Sequence, residues 1–194
     1  MKCRAGIAWE CEGYINRYLE ECGINCDSIT PQMMAAPFFK GRLVALVIPT
    51  GFANKMYSGL LPALCASENR IRKFVEKGGK VISFGAMSEN EEAYKWLPFC
   101  TKYVHEYFGS PIKIDCNSPF SEIMEDFNIE NIECDGYFTD FDEQTDVIAQ
   151  TKEGKAIMIG KKYGEGYFIV TSIHEFPSRS FIRNFCTGEA EILF

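Results

Sequence analysis

Gly78-Gly79-Lys80-Val81-Ile82-Ser83-Phe84-Gly85-Ala86-Met87 is the stretch whose punctuation decides the fold. Before it runs a charged helical segment, Glu68 to Lys77, with Ile71, Phe74 and Val75 as its apolar stripe. Two glycines end that helix. Val81 to Phe84 is short, apolar and partly β-branched, which reads as a buried strand. Gly85-Ala86 then makes a sharp exit. In an open parallel sheet, ligands and reactive groups gather at such carboxyl ends, where the loops diverge. A reactive side chain is expected at this turn, and Gly85 offers none.

On the N-terminal side, Leu43 to Ile48 is almost wholly apolar, as a central strand covered on both faces would be, and Pro49-Thr50-Gly51 stops it. Residues 2–8 read as the first strand. Gly13 to Cys22 reads as a helix with Tyr14, Ile15, Tyr18 and Leu19 on one face and Gly23 at its C-terminus. Asn25 to Ile29 is a short second strand, Thr30-Pro31 breaks the pattern, and residues 31–40 are expected to be loop. A short helix is expected over Leu60 to Ala66. This alternation predicts an α/β fold, a flavodoxin-like three-layer sandwich with a mostly parallel central sheet.

The C-terminal side is less regular. Asn90 to Trp96 and Pro119 to Phe127 read as helices, and Phe99 to Phe108 is aromatic-rich without a clear period. Ile112 to Cys116, Tyr137 to Phe141 and Val147 to Thr151 read as short strands. Ala156 to Ile159 and Tyr167 to Thr171 are strands of a hairpin, with Gly164-Glu165-Gly166 at its tip to supply positive φ. That hairpin is expected as a C-terminal extension of the sheet, followed by a last helix over Phe176 to Phe185. No boundary divides the chain, so residues 1–194 are expected to form one domain.

Bulk composition excludes several function classes. The chain has 194 residues, room for one sizeable core. Its formal net charge of −7 repels nucleic acid and anionic membrane surfaces. The basic cluster Arg70, Arg72, Lys73 and Lys77 is interrupted by Glu68 and Glu76 and reads as a solvated helix face. No apolar run approaches the roughly 20 residues of a membrane-spanning helix. The N-terminus lacks the apolar core of a signal peptide, so the cytoplasm is the expected compartment. Nine cysteines, an odd number, are expected to remain thiols there. Cys22 and Cys26 have no second close-spaced ligand pair to complete a zinc site, so no metal is expected. Glu10 and Glu12 stand where a phosphate loop would follow the first strand, and no cofactor is expected.

Three motifs in order resemble the class I glutamine amidotransferase-like superfamily, and most closely the domain at the N-terminus of some biotin–protein ligases. Val47-Ile48-Pro49-Thr50-Gly51 stands where that family has a strand ending in Pro-Gly-Gly. Ile71 through Met87 matches its helix, glycine pair, strand and nucleophile turn Gly-x-Cys-x-Gly. Tyr163 to Glu175 matches a Gly-x-Gly hairpin running into His-Pro-Glu. The resemblance implies a cysteine nucleophile at a strand-to-helix turn, a histidine base and a glutamate that orients it. Here the cysteine position falls on Gly85, so thiolate attack on a glutamine amide has no nucleophile. Ser83 and Met87 replace the flanking family glycines. His174 holds the histidine position, but Glu175 follows it directly instead of standing two residues on, where adjacent strand side chains point apart.

The resemblance therefore implies a domain without glutaminase activity, a pseudoenzyme that binds a small molecule or a partner protein at the relict cleft. Trp9, Thr50, Gly51, Gly85, Ala86 and His174 are its expected lining. The catalytic candidates for a rival, hydrolase-type reading are His174, Glu175 and Cys11, a thiol in the first strand-to-helix loop, or His174 with a bound water. A third reading is an accessory subunit of a larger enzyme, contacted through the aromatic stretch Tyr103 to Phe108. Neither nucleic acid nor membrane is expected as partner, and a homodimer is left open. His105 is expected to pack or to face solvent.

Overall fold

The computed structural model describes residues 1–174 and 176–194. Strands and helices alternate through the first half: β1 (Lys2–Ala8), α1 (Tyr14–Glu21), β2 (Asn25–Ile29), α2 (Pro31–Ala35), β3 (Arg42–Leu43), β4 (Ala45–Ile48), α3 (Leu60–Ala66), α4 (Glu68–Glu76) and β5 (Lys80–Ser83). The second half is mostly strand: β6 (Lys102–Ser110), β7 (Ile112–Ile114), a 3-10 turn (Ser121–Met124), β8 (Ile132–Thr139), β9 (Asp146–Thr151), β10 (Ala156–Tyr163) and β11 (Gly166–Thr171). α5 (Arg179–Phe185), β12 (Thr187–Gly188) and β13 (Ile192–Leu193) close the chain.

The central sheet is large and mixed, which corrects the expectation of a mostly parallel one. Its parallel half runs β2-β1-β4-β5-β11, and its antiparallel half continues through β10, β8 and β6, with β9 on β10 and β7 on β9. Short connections such as the one between β10 and β11 can join only antiparallel neighbours. The C-terminal hairpin is no appendage. β11 pairs in parallel with β5 from Tyr167↔Lys80 to Val170↔Ser83 and in antiparallel with β10, so it joins the two halves.

Side-chain alternation sends the central strands' residues to two cores. On one face Ala5, Ile7, Ala45, Val47, Ile82 and Ile169 meet Ile15 and Leu19 of α1 and Phe181, Ile182 and Phe185 of α5. On the other, Leu46, Ile48, Val81, Phe168 and Val170 meet α2, α3 and α4 through Met34, Leu60, Leu64, Ile71 and Phe74. Gly78 ends α4 at φ +105°, and Gly79 has no room for a Cβ, which would lie 2.4 Å from the Phe74 ring.

Several local expectations need correction. Pro31 begins a short helix rather than a loop, because the Thr30 hydroxyl accepts from Met33 N–H at 3.3 Å and proline suits the first helical position. Asn90 to Trp96 forms successive turns, not a helix. Ala93, Tyr94, Trp96 and Leu97 are buried at the spacing of one helical face, but the backbone closes separate three-residue turns instead, Ala93 N–H to Asn90 O, Lys95 N–H to Glu92 O and Leu97 N–H to Tyr94 O. The aromatic stretch is β6, an edge strand with a register shift between His105 and Phe108. His105 faces solvent and stacks on Tyr103.

Candidate functional site

The carboxyl ends of β1, β4 and β5 open on a cavity of about 360 Å³. Trp9 from the loop after β1, Pro49 and Thr50 after β4, and Phe84 after β5 line it, together with the start of α1, His174 and Phe176. Among the expected residues, Trp9, Thr50 and His174 thus come together. Gly51 and Gly85 lie just behind the wall, where Gly51 N–H donates to the Gly85 carbonyl at 2.7 Å. Ala86 is fully buried in the core and does not line the cavity. Cys11 is exposed and lines no part of it. Glu175 lies outside the described residues.

His174 follows β11 in a segment that pairs with β8. Cys134 and Ile173 form an antiparallel bridge, flanked by Asp135 N–H to Ser172 O at 2.8 Å and His174 N–H to Glu133 O at 2.9 Å. Cys134 and Ile173 point into the core, so their neighbours Asp135 and His174 share the opposite face. There the His174 Nδ1 meets Asp135 Oδ1 at 3.1 Å. The Asp135 side chain is 2% exposed and that of His174 48%. Asp135 is a further candidate site residue, absent from those expected from the sequence. Ile132 and Cys134 alternate with Glu133 and Asp135, a period that marks a half-buried strand but does not single out Asp135.

The carboxylate lies against Gly85, the position onto which the resemblance maps a nucleophile. A Cβ built on Gly85 would sit 3.0 Å from Asp135 Oδ2, 3.1 Å from Asp135 Cβ and 3.4 Å from the Tyr103 hydroxyl. At those distances Asp135 would have to give by a few tenths of an ångström to admit even a methyl group. Asp135 cannot easily yield, because Tyr103 O–H donates to its carbonyl at 2.7 Å and its own N–H is held by Ser172. Its Oδ2 is buried without a hydrogen-bond partner among the described residues. Such an oxygen costs free energy unless water or a ligand meets it.

The turn after β5 differs from a nucleophile elbow in other ways. No helix follows it: residues 84–101 are irregular loop with turns over 91–96. Met87 stands at φ +48°, a left-handed conformation costly for a side chain of its kind. Tyr94 O–H donates to Phe84 O at 3.0 Å. Burial pushes the Tyr94 and Tyr103 phenols well up, so both stay protonated donors. Two residues beyond His174, where the family's glutamate would be, Phe176 stacks on Tyr18 at 5.0 Å. The Tyr18 hydroxyl donates to Pro177 O and fixes that loop against α1. Glu10 is equally occupied, accepting from Gly59 N–H at 2.6 Å and Ser58 O–H at 3.2 Å. Among the described residues no group of three or more His, Cys, Asp or Glu side chains is arranged to hold a metal, and no helix is long and apolar enough to cross a membrane.

No protein-family model and no curated protein matches the chain. Solved structures do. A Thermoplasma acidophilum protein assigned as part of a GMP synthase is similar with a TM-score of 0.63 at 11% identity, over 96% of this chain and 93% of that one. A cytoplasmic protein of Salmonella typhimurium LT2 gives 0.54 at 16%, over 94% and 93%. A glutamine amidotransferase from Thermotoga maritima gives 0.53 at 12%, over 90% and 76%. At such identities the likeness concerns the backbone alone: the chain has a class I glutamine amidotransferase-like α/β fold, built on a mixed central sheet.

Proposed function

We propose that this chain is a glutamine amidotransferase-like domain without glutaminase activity, akin to the domain at the N-terminus of some biotin–protein ligases. It binds a small molecule in the cavity beside His174 and works in the cytoplasm. Gly85 supports the reading: it carries no nucleophile, and a Cβ built there would meet Asp135 Oδ2 at 3.0 Å, so Asp135 would have to give by a few tenths of an ångström to admit any side chain. A cavity of this size with apolar walls and a few polar groups is the usual form of a small-molecule site.

The test has two parts. Purified protein given glutamine should release no ammonia above the buffer rate, and heat-denatured protein should release a small molecule that mass spectrometry detects in near-stoichiometric amount. Glutamine hydrolysis would end the proposal. An empty cavity, with no shift of the Trp9 environment across a metabolite panel, would shift weight to a partner protein, including a second copy of the chain or a larger enzyme that it serves.

The Asp135–His174 pair favours one rival, a hydrolase in which His174 draws a proton from a bound water. A carboxylate that orients a histidine is the arrangement such chemistry needs. Turnover of activated esters that is lost in His174→Gln would establish it. Cys11 fits this rival less well, since it lies outside the cavity lining.

A further inference from the structure

The pairing of His174 with Asp135 constrains which hydrogen bonds the cavity can offer. An ionised carboxylate only accepts, so the Nδ1 that meets Asp135 Oδ1 at 3.1 Å carries the proton. In the neutral ring Nε2 is then a bare acceptor. Nδ1 is committed to a buried partner, so Nε2 is the ring nitrogen left for a ligand of the cavity that His174 lines. Trp9, Phe84 and Phe176 line the same cavity, with Thr50 as a second polar residue.

We propose that the cavity takes an uncharged, flat aromatic or heteroaromatic molecule that presents an N–H or O–H donor to His174 Nε2. This rests on the small-molecule reading above and names the class of molecule. The walls supply ring-on-ring contact. A ligand unable to donate would leave Nε2 desolvated and unpaired, which is how a polar site rejects an isostere. Anions are disfavoured by the buried Asp135 carboxylate behind the ring, by Glu10 and Glu12 on the loop after β1, and by the chain's charge of −7. The volume, about 360 Å³, is near the lower end for ligand sites and suits one or two fused rings. Asp135 is a positioning residue here, acting through the histidine it orients.

Three probes of similar size test this: indole, with an N–H donor; benzofuran, its isostere without one; and benzoate, an anion. Titrations followed by protein amide shifts should show indole binding about tenfold more tightly than benzofuran, the factor one well-made hydrogen bond supplies. His174→Phe keeps a flat wall and removes the acceptor, so the two should then bind equally. Asp135→Asn lets an amide donate to Nδ1 and releases the proton to Nε2, so the preference should fall to threefold or less. The chain has only two histidines, His105 and His174, so ¹⁵N ring spectra of the folded wild type can report the tautomer directly. A protonated Nδ1 and bare Nε2 at His174 are expected. Equal binding of indole and benzofuran to the wild type, tighter binding of benzoate, or a bare Nδ1 would overturn the proposal. If none of the three binds while denatured protein still releases a ligand, the class named here is wrong and the small-molecule reading survives. If nothing is released either, both fall.

Discussion

At Gly85 and Asp135, two side-chain choices are coupled through one small volume. A methyl group at Gly85 would press on Asp135 from 3.0 Å, so Gly85→Ala should destabilise the protein by about 1–2 kcal/mol, the usual cost of overfilling a packed site. Asp135→Ala in the same chain should recover most of that loss, a coupling that urea denaturation of the double-mutant cycle would measure. If Gly85→Ala costs the same with and without Asp135, the two do not share the space. Gly85→Cys should likewise gain no glutaminase activity. Asp135→Asn is a sharper case. Its partner His174 is half-exposed and is not stranded when the charge goes, and Oδ2 has no hydrogen bond to lose. Stability should therefore hold or rise, within about 1 kcal/mol of the wild type. A loss beyond about 2 kcal/mol would make Asp135 a structural residue and remove the case for a site built around it. His174 was legible in the sequence because a Gly-x-Gly hairpin leads to it. Asp135 was not placed, because its nearness to His174 depends on a bridge between residues 134 and 173, and no local pattern encodes that pairing.

Two elements show how the scaffold fixes the site. The β10–β11 hairpin turns tightly at Gly164, φ +59°, and docks on the end of α4, where Glu165 N–H donates to Glu76 O at 3.0 Å. A Cβ on Gly166 would lie 2.0 Å from Gly79 O. Gly154 also has positive φ, +87°, but nothing lies within 4 Å of a Cβ there. Gly154→Ala should thus cost only backbone strain, about 1 kcal/mol, whereas Gly166→Ala should cost well over about 2 kcal/mol. The urea midpoints of the two variants decide whether the backbone contact, rather than the glycine as such, holds β11 in register beside β5. On the far side of the sheet, Lys80 Nζ donates to the carbonyls of Asn184, Phe185 and Thr187 at 3.3, 2.9 and 3.0 Å, closing the end of α5. Lys80→Met keeps the aliphatic stem and leaves those carbonyls without this donor, so a loss of about 1–3 kcal/mol is expected. The strands β2 and β11 and the helices α3 and α4 were readable from periodicity. The turns at 90–97 were not, because their buried residues keep the spacing of a helical face while the backbone closes separate three-residue turns.

Across the whole molecule, the nine cysteines give a simple map of exposure. Cys11, Cys100 and Cys116 are exposed, while Cys22, Cys134 and Cys186 are buried. Burial also pushes the Cys26 thiol up to about 12, with nearby acids adding to it. A thiol reagent at neutral pH should therefore label the three exposed cysteines first and at similar rates, and the buried three only on unfolding. Labelling of Cys11 far ahead of Cys100 and Cys116 would restore it as a candidate nucleophile. By itself the sequence determined the parallel half of the sheet, the turn at Gly85 without a nucleophile and the arrival of His174 at a strand end. Those features rest on periodicity and on glycine and proline punctuation, which act within a few residues. Only the tertiary structure decided that the second half folds back as antiparallel strands, that Asp135 fills the space at Gly85, and that the same carboxylate holds His174. Contacts between residues 85, 135 and 174 arise from strand pairing across the chain, and the packing that sets them has no local signature.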